Sequence, residues 1–139
     1  MRMVGAILMA ALCMSSLQAK AANNVACIES VAFYEANTEG FEAMLAVASV
    51  VINRAKGSFD GVCRVVKQPG QFSWVGQKTI KRVPRAEPIA QLIKNGFVHP
   101  RFKDATHFHD TSITPSWTNN KDMIYVGKIK RLKFYRERI

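Results

Sequence analysis

Residues 30–39 read SVAFYEANTE and place a carboxylate, Glu35, at the end of an apolar run. A second apolar-periodic segment, Phe41 to Ala55, follows almost at once, so we expect the Glu35 side chain to be partly desolvated. Burial favours the neutral form of a carboxyl group, and a carboxyl group that keeps its proton near neutral pH can act as a general acid. The stretch therefore predicts a helical core with a candidate acid, Glu35, at its centre.

Apolar periodicity organises the rest of the chain around these two segments. The spacing predicts a first helix over Val25–Ala36 and a central, largely buried helix over Phe41–Ala55, which Lys56-Gly57 ends. Weaker signals indicate a helical turn near 62–66, a helix over 86–95, a strand over 105–109, and hairpin arms over 123–126 and 133–135 around Gly127-Lys128. Helices first and a small antiparallel sheet last predict a compact α+β single domain.

The N-terminus has the pattern of a signal peptide. Arg2 gives a positive start, Val4–Met14 is apolar, and Ala19-Lys20-Ala21 fits the small-x-small cleavage rule. We therefore expect residues 1–21 to be removed and residues 22–139 to form the domain. Export to the periplasm, the cell wall or the extracellular space follows, with no membrane span after cleavage; an uncleaved anchor or a buried first helix is the alternative.

Cysteine content and charge agree with export. Cys27 and Cys63 would remain in the mature chain, and two cysteines in an oxidising compartment most simply form one disulfide; two buried free thiols are the alternative. The 139-residue chain carries a net charge of +10, which falls to +8 without Arg2 and Lys20. Such an excess suits an anionic envelope polymer, and export argues against nucleic acid. We expect a monomer.

Two polar and aromatic segments could supply a binding site. Gln68–Trp74 combines amides, a hydroxyl and aromatic rings around a Pro-Gly turn, a mixture that suits sugars, although a surface loop is an equally good reading. In a strand, His107 and His109 would share one face. Two imidazoles are only a fragment of a zinc site, which would have to recruit Glu35, Asp104 or Asp110. We expect no metal and no cofactor.

In order along the chain, these residues resemble the SleB/CwlJ-type cell wall hydrolases. The family's opening Glu-Ala-Arg-Gly-Glu corresponds to residues 35–39, and its helix ending in Asn-Arg to Ala46–Arg54. Its cysteine and its Gln-Pro-Gly-Gln-Phe-Ser-Trp run correspond to Cys63 and Gln68–Trp74. Its His-aromatic-His and aromatic-Tyr-Arg elements correspond to residues 107–109 and 134–136. Asn37 and Thr38 depart from the family's Arg-Gly.

The resemblance implies a lysozyme-like fold and cleavage of the bond between N-acetylmuramic acid and N-acetylglucosamine in peptidoglycan. It implies lytic transglycosylase chemistry in which Glu35 serves as acid and then as base, without a second carboxylate. A hydrolytic muramidase would pair two carboxylates, and Glu39 or Asp110 would be the second. The predicted substrate-binding residues follow from the matched motifs: Gln71, Phe72, Ser73, Trp74, His107, His109 and Tyr135.

Two other functions remain open from the sequence. A zinc-dependent N-acetylmuramoyl-L-alanine amidase would use His107 and His109 with a carboxylate to activate water. A non-enzymatic cationic protein would bind the envelope through its charge alone, for which the basic tail, Lys128–Arg138, offers a surface. A chelator would abolish the activity of a zinc amidase but not that of a transglycosylase. A Glu35→Gln protein would lyse cells as fast as the wild type if charge alone were responsible.

Overall fold

In the described part of the chain, four α-helices precede a three-stranded sheet. The structure, a computed structural model, describes residues 2–139, with side chains described from Ser16 onward. The helices are α1 (Arg2–Ala36), α2 (Phe41–Arg54), α3 (Val62–Lys67) and α4 (Glu87–Lys94). The strands are β1 (His107–Asp110), β2 (Met123–Ile129) and β3 (Leu132–Glu137), in the antiparallel order β1-β3-β2. The predicted order of helices first and a small sheet last is confirmed.

Helix α2 is the centre of the core. Every residue from Ala43 to Ile52 is buried, including Ser49, whose hydroxyl donates to the Leu45 carbonyl at 2.8 Å. Helices α1, α3 and α4 all pack against α2, and Ile28 and Val31 of α1 are fully buried. The wide apolar arc read from the sequence therefore corresponds to a helix covered on nearly all sides.

Helix α1 ends at Ala36, as predicted, but begins at Arg2 rather than near Val25. The predicted signal peptide, residues 1–21, falls mainly on residues whose side chains lie outside the described part, so it stays a prediction. No helix in the described part is long and apolar enough to cross a membrane.

The predicted hairpin turn at Gly127-Lys128 is wrong. Both residues lie inside β2, and the turn is formed by Lys130 and Arg131, with Lys130 at a φ of 48°. Gly127 is closely packed by its neighbours. A Cβ atom at this position would lie 2.9 Å from the Arg101 guanidinium and 3.3 Å from the Phe102 ring. A glycine inside a strand pattern can thus mark close packing and a bulge, here between Tyr125 and Gly127, rather than a turn.

A disulfide joins α1 to α3. Cys27 and Cys63 are bonded, with their Cα atoms 5.4 Å apart. The predicted pairing is therefore present, and it ties the short helix α3, six residues long, to the longest helix of the fold.

Candidate active site

A cleft of about 650 Å³ lies where the end of α1, the middle and end of α2, the 70–73 loop and β1 meet. Residues of the segment that follows β1 complete its lining. The lining residues are Glu35, Val50, Arg54, Gly70, Gln71, Phe72, Ser73, Thr106, His107, Phe108, His109, Asp110, Ile113, Pro115, Trp117 and Leu132. This cleft joins segments that are distant in the sequence and contains the candidate acid.

Glu35 lies in the last turn of α1 and is partly buried. The indole N–H of Trp74 donates a hydrogen bond to its Oε1 atom at 3.0 Å. Burial raises the pKa of the Glu35 carboxyl above its ordinary value, and the bond from Trp74 offsets this in part because it stabilises the charged form. The carboxyl group therefore holds its proton to a higher pH than an exposed glutamate does.

Buried polar groups of α1 hold the loop that carries Trp74. Glu29 is fully buried and accepts bonds from the Val83 backbone N–H at 2.7 Å and from Arg82 Nε at 2.8 Å. The Ser30 hydroxyl accepts from the Lys81 N–H and donates to the Lys81 carbonyl. These bonds fix the irregular segment after Trp74 against α1. Sequence reasoning missed Glu29, although a carboxylate inside an apolar helix is itself a signal.

Aromatic packing fixes the Trp74 ring from its other sides. The Tyr34 ring lies 4.7 Å from the Trp74 ring, and the Phe72 ring lies 6.1 Å from it, as centroid distances. Tyr34 also donates its hydroxyl proton to the Thr79 carbonyl at 3.1 Å. Trp74 is 7% exposed, so it supports Glu35 from behind the cleft.

The opposite wall is an aromatic cluster around His109. The His109 Nδ1 atom lies 2.8 Å from the Asp110 backbone carbonyl, which can only accept, so Nδ1 carries the proton. In the neutral ring, Nε2 then accepts from the Tyr135 hydroxyl at 2.9 Å. Trp117 packs edge-on against both His109 and Tyr135 and lies 5.1 Å from the His107 ring. Burial and the nearby Arg54 lower the pKa of His107.

Six of the predicted site residues line the cleft together: Glu35, Gln71, Phe72, Ser73, His107 and His109. Trp74 and Tyr135 stand behind it, and each bonds to a lining residue. Sequence reasoning missed Trp117, a tryptophan in a polar loop, and gave no role to Arg54 beyond its place in a motif.

Asp110 is a second carboxylate at the rim of the cleft. Its Oδ1 atom accepts from the Ser112 backbone N–H at 2.8 Å and from Arg131 at 3.3 Å. These bonds lower the pKa of the Asp110 carboxyl whereas burial raises that of Glu35, so between the two pKa values Asp110 is ionised and Glu35 is protonated. Glu39, the other carboxylate considered from the sequence, is not among the described residues that line the cleft.

Among the described side chains, the histidines of β1 have no further metal ligands beside them. Within the part of the chain whose side chains are described, no group of three or more His, Cys, Asp or Glu side chains could hold a metal ion. Both ring nitrogens of His109 are already engaged in the bonds to Asp110 and Tyr135.

The model of the cell wall hydrolase family matches residues 38–135. The chain belongs to the cell wall hydrolase family. The resemblance read from the sequence motifs is thus confirmed, although Glu35 lies just before the matched segment. Membership of the family indicates a place of action outside the cytoplasm.

The fold of this cell wall hydrolase is also found in a solved structure. The catalytic domain of the germination-specific lytic transglycosylase SleB from Bacillus anthracis is similar, with a TM-score of 0.68 and 22% sequence identity. The similarity covers 82% of this chain and 94% of that domain. No curated protein matches the chain.

Proposed function

We propose that this protein is a lytic transglycosylase that cleaves the bond between N-acetylmuramic acid and N-acetylglucosamine in peptidoglycan. The observation that carries the proposal is Glu35, a partly buried carboxyl group whose pKa is raised by burial, in a cleft of a cell wall hydrolase fold. The similar SleB domain belongs to a lytic transglycosylase, which supports the same chemistry.

The first step uses Glu35 as an acid. Its carboxyl proton passes to the glycosidic oxygen, the bond between C1 of N-acetylmuramic acid and that oxygen breaks, and N-acetylglucosamine leaves with a free O4 hydroxyl. The muramyl ring is left with positive charge at C1 and the ring oxygen. The Glu35 carboxylate, still bonded to Trp74, lies beside this charge and stabilises it.

The second step uses the same group as a base. The Glu35 carboxylate takes the proton of the C6 hydroxyl, and the C6 oxygen bonds to C1. The product is a 1,6-anhydro muramyl end, no water is consumed, and Glu35 regains its proton. One carboxyl group with a raised pKa suffices for this cycle, because donor and acceptor act in turn.

The walls of the cleft suit a glycan strand. We infer that Gln71 and Ser73 bond sugar hydroxyl and acetamido groups, and that the rings of Phe72, His107 and Trp117 contact pyranose faces. His109 and Tyr135 hold this wall in place through their mutual bond. Export through residues 1–21, a monomeric state and action in the periplasm or at the cell surface belong to the same proposal.

Asp110 favours one alternative, a hydrolytic muramidase. A protonated Glu35 and an ionised Asp110 in one cleft are the pair that water-using glycosidases employ. Asp110 is, however, already engaged with Ser112 and Arg131 at the rim. We expect Asp110→Asn to retain at least half of the wild-type rate.

Product analysis tests the proposal directly. Purified peptidoglycan is digested with the wild type and with Asp110→Asn, and the soluble fragments are analysed by mass spectrometry. We expect 1,6-anhydro muramyl ends from both. Reducing muramic acid ends that disappear with Asp110→Asn would establish the muramidase instead, and free stem peptides, lost in a chelator, would establish the amidase.

Replacement of Trp74 by Phe is expected to move the alkaline limb of the activity profile to higher pH. The bond from Trp74 lowers the pKa of Glu35, so its loss raises that pKa and keeps the acid protonated further up the scale. The measurement is kcat/KM against pH, which reports the free enzyme's groups. Trp117→Phe is the matched control, since the indole bond to Glu35 comes from Trp74 and not from Trp117. The KM of this control should rise while the alkaline limb of its profile stays in place. An alkaline limb that moves to lower pH in Trp74→Phe, or that moves equally in both variants, would contradict the proposal that the Trp74 bond lowers the pKa of Glu35.

A further inference from the structure

A second groove, of about 500 Å³, adjoins the cleft and shares Arg54 with it. We call it the basic groove; its lining residues are Arg54, Arg64, Val65, Lys67, Gln68 and Pro69. Three of these six residues are cations, and no acidic residue lies among them. The groove therefore presents concentrated positive charge directly beside the candidate acid site.

Arg54, at the end of α2, forms the junction between the two spaces. It is partly buried, and this burial lowers the pKa of its guanidinium. In the part of the chain with described side chains, no carboxylate lies within 4 Å of it, although the charge of the more distant Glu137 carboxylate partly offsets the effect of burial on its pKa. A guanidinium withdrawn from water without a paired anion is costly, unless an anionic ligand supplies the partner.

Arg64 and Lys67 extend the charge along α3. They are three residues apart, so they share one face of the helix, and both are exposed. Neither forms an ion pair within the described part of the chain. The disulfide at Cys63 ties α3 to α1, the helix that carries Glu35. The groove thus has a fixed position relative to the reacting bond.

The chemistry of peptidoglycan offers a matching anion. The muramyl ring carries a lactyl group, and in intact peptidoglycan this group bears a peptide stem with free carboxylates. A muramyl ring bound with its C1 atom near Glu35 brings its stem to the edge of the cleft. Arginine and lysine in a groove at that edge are suited to carboxylates.

We propose that the basic groove binds the carboxylates of the peptide stem, so that Arg54, Arg64 and Lys67 make this protein selective for stem-bearing glycan strands. The inference rests on the proposed function, because it takes the muramyl ring beside Glu35 as given. A strand without stems also carries a carboxylate, on its free lactyl group, and the experiment separates these two sources.

The test measures binding to insoluble peptidoglycan by sedimentation, with Glu35→Gln in every protein so that turnover does not interfere. Three materials are compared: peptidoglycan with intact stems, the same material with its stem carboxylates converted to amides, and strands stripped of stems by an amidase. The variant is Arg64→Gln/Lys67→Gln. The control is Arg85→Gln/Lys94→Gln, which removes the same charge from exposed positions that line neither the cleft nor the basic groove.

The variant is expected to bind intact peptidoglycan about fivefold more weakly, since two exposed charge pairs are lost. Its binding to the amidated and stripped materials should equal that of the parent, and the control should be unchanged throughout. Equal weakening on all three materials, or equal weakening by the control, would mean general charge attraction and would overturn the proposal. Weakening confined to stripped strands would assign the groove to the lactyl carboxylate instead.

Failure of this inference can be told apart from failure of the proposed function. The sedimentation assay reports the groove without catalysis, whereas the fragments released by the wild type from intact peptidoglycan report the reaction. Anhydro products together with stem-independent binding would overturn the proposal for the basic groove but not the proposed transglycosylase reaction. Stem-dependent binding without any glycan cleavage would overturn the proposed transglycosylase reaction but not stem binding by the basic groove.

Discussion

Glu35→Gln is expected to lower the rate of peptidoglycan cleavage about 10³-fold. The amide has the shape of the carboxyl group and can still accept the bond from Trp74, but it can neither give nor take a proton. Positioned proton transfer contributes on the order of 10²–10⁴-fold in rate, and Glu35 performs it in both steps of the proposed cycle. The measurement is the rate of appearance of anhydro muramyl fragments.

The same substitution should leave the fold intact. Burial raises the pKa of Glu35 in the folded protein above that of the unfolded chain, so the folded state binds this proton more tightly. The contribution of the group to stability is therefore present at low pH and is lost as pH rises through the folded pKa. Glutamine never acquires the buried negative charge that the deprotonated Glu35 carries. The melting temperature of Glu35→Gln should therefore equal or exceed that of the wild type.

Glu39→Gln is the matched control for this experiment. It makes the same carboxyl-to-amide change four residues away, in a side chain outside the residues that line the cleft. Its rate should stay within about twofold of the wild type, as expected for a change away from the reacting bond. A Glu35→Gln protein that releases fragments as fast as the wild type would assign lysis to the positive charge of the chain. A Glu39→Gln protein as inactive as Glu35→Gln would call for a second catalytic carboxylate.

Helical periodicity carried most of the predictable fold. The C-terminal end of α1 and both ends of α2 lie within one residue of their predicted positions, because buried helices repeat their apolar residues over several turns and leave a long signal. The hairpin turn was misplaced because Gly127 satisfies a tertiary packing need that no local pattern displays. A pair such as Gly127-Lys128 does not show from the sequence whether the glycine forms a turn or makes room for the side chain of another segment.

The site was predictable to the extent that its residues fall in recognisable motifs. Glu35, the 68–74 loop and the histidines of β1 are brought together in one cleft, but the sequence could not show that Trp74 faces Glu35 from behind. The segment that follows Trp74 is held against α1 by bonds that Glu29 accepts from Arg82 and Val83, more than fifty residues away. Trp117 has no periodic context, so only the three-dimensional structure shows it beside His107 and Tyr135.

Removal of the disulfide is expected to cause the largest loss of stability of any change considered. Cys27 and Cys63 are separated by 36 residues, and on the chain-entropy estimate a loop of this length contributes about 4 kcal/mol. The double variant Cys27→Ala/Cys63→Ala should therefore melt roughly 15 °C below the wild type. Alanine is preferred to serine because Cys27 is 1% exposed, and a hydroxyl there would add a burial cost of its own. Thermal unfolding followed by circular dichroism gives the shift.

Reduction supplies the control for this variant. Dithiothreitol should lower the melting temperature of the wild type by a similar amount and leave that of the double variant unchanged. A shift below a few degrees in the variant would mean that the packing of α3 on α1 and α2 suffices without the crosslink. Because α3 carries Arg64 and Lys67, the reduced protein should also lose its preference for stem-bearing peptidoglycan at temperatures below its own melting point. The crosslink would then serve both the stability of the fold and the placement of the basic groove beside Glu35.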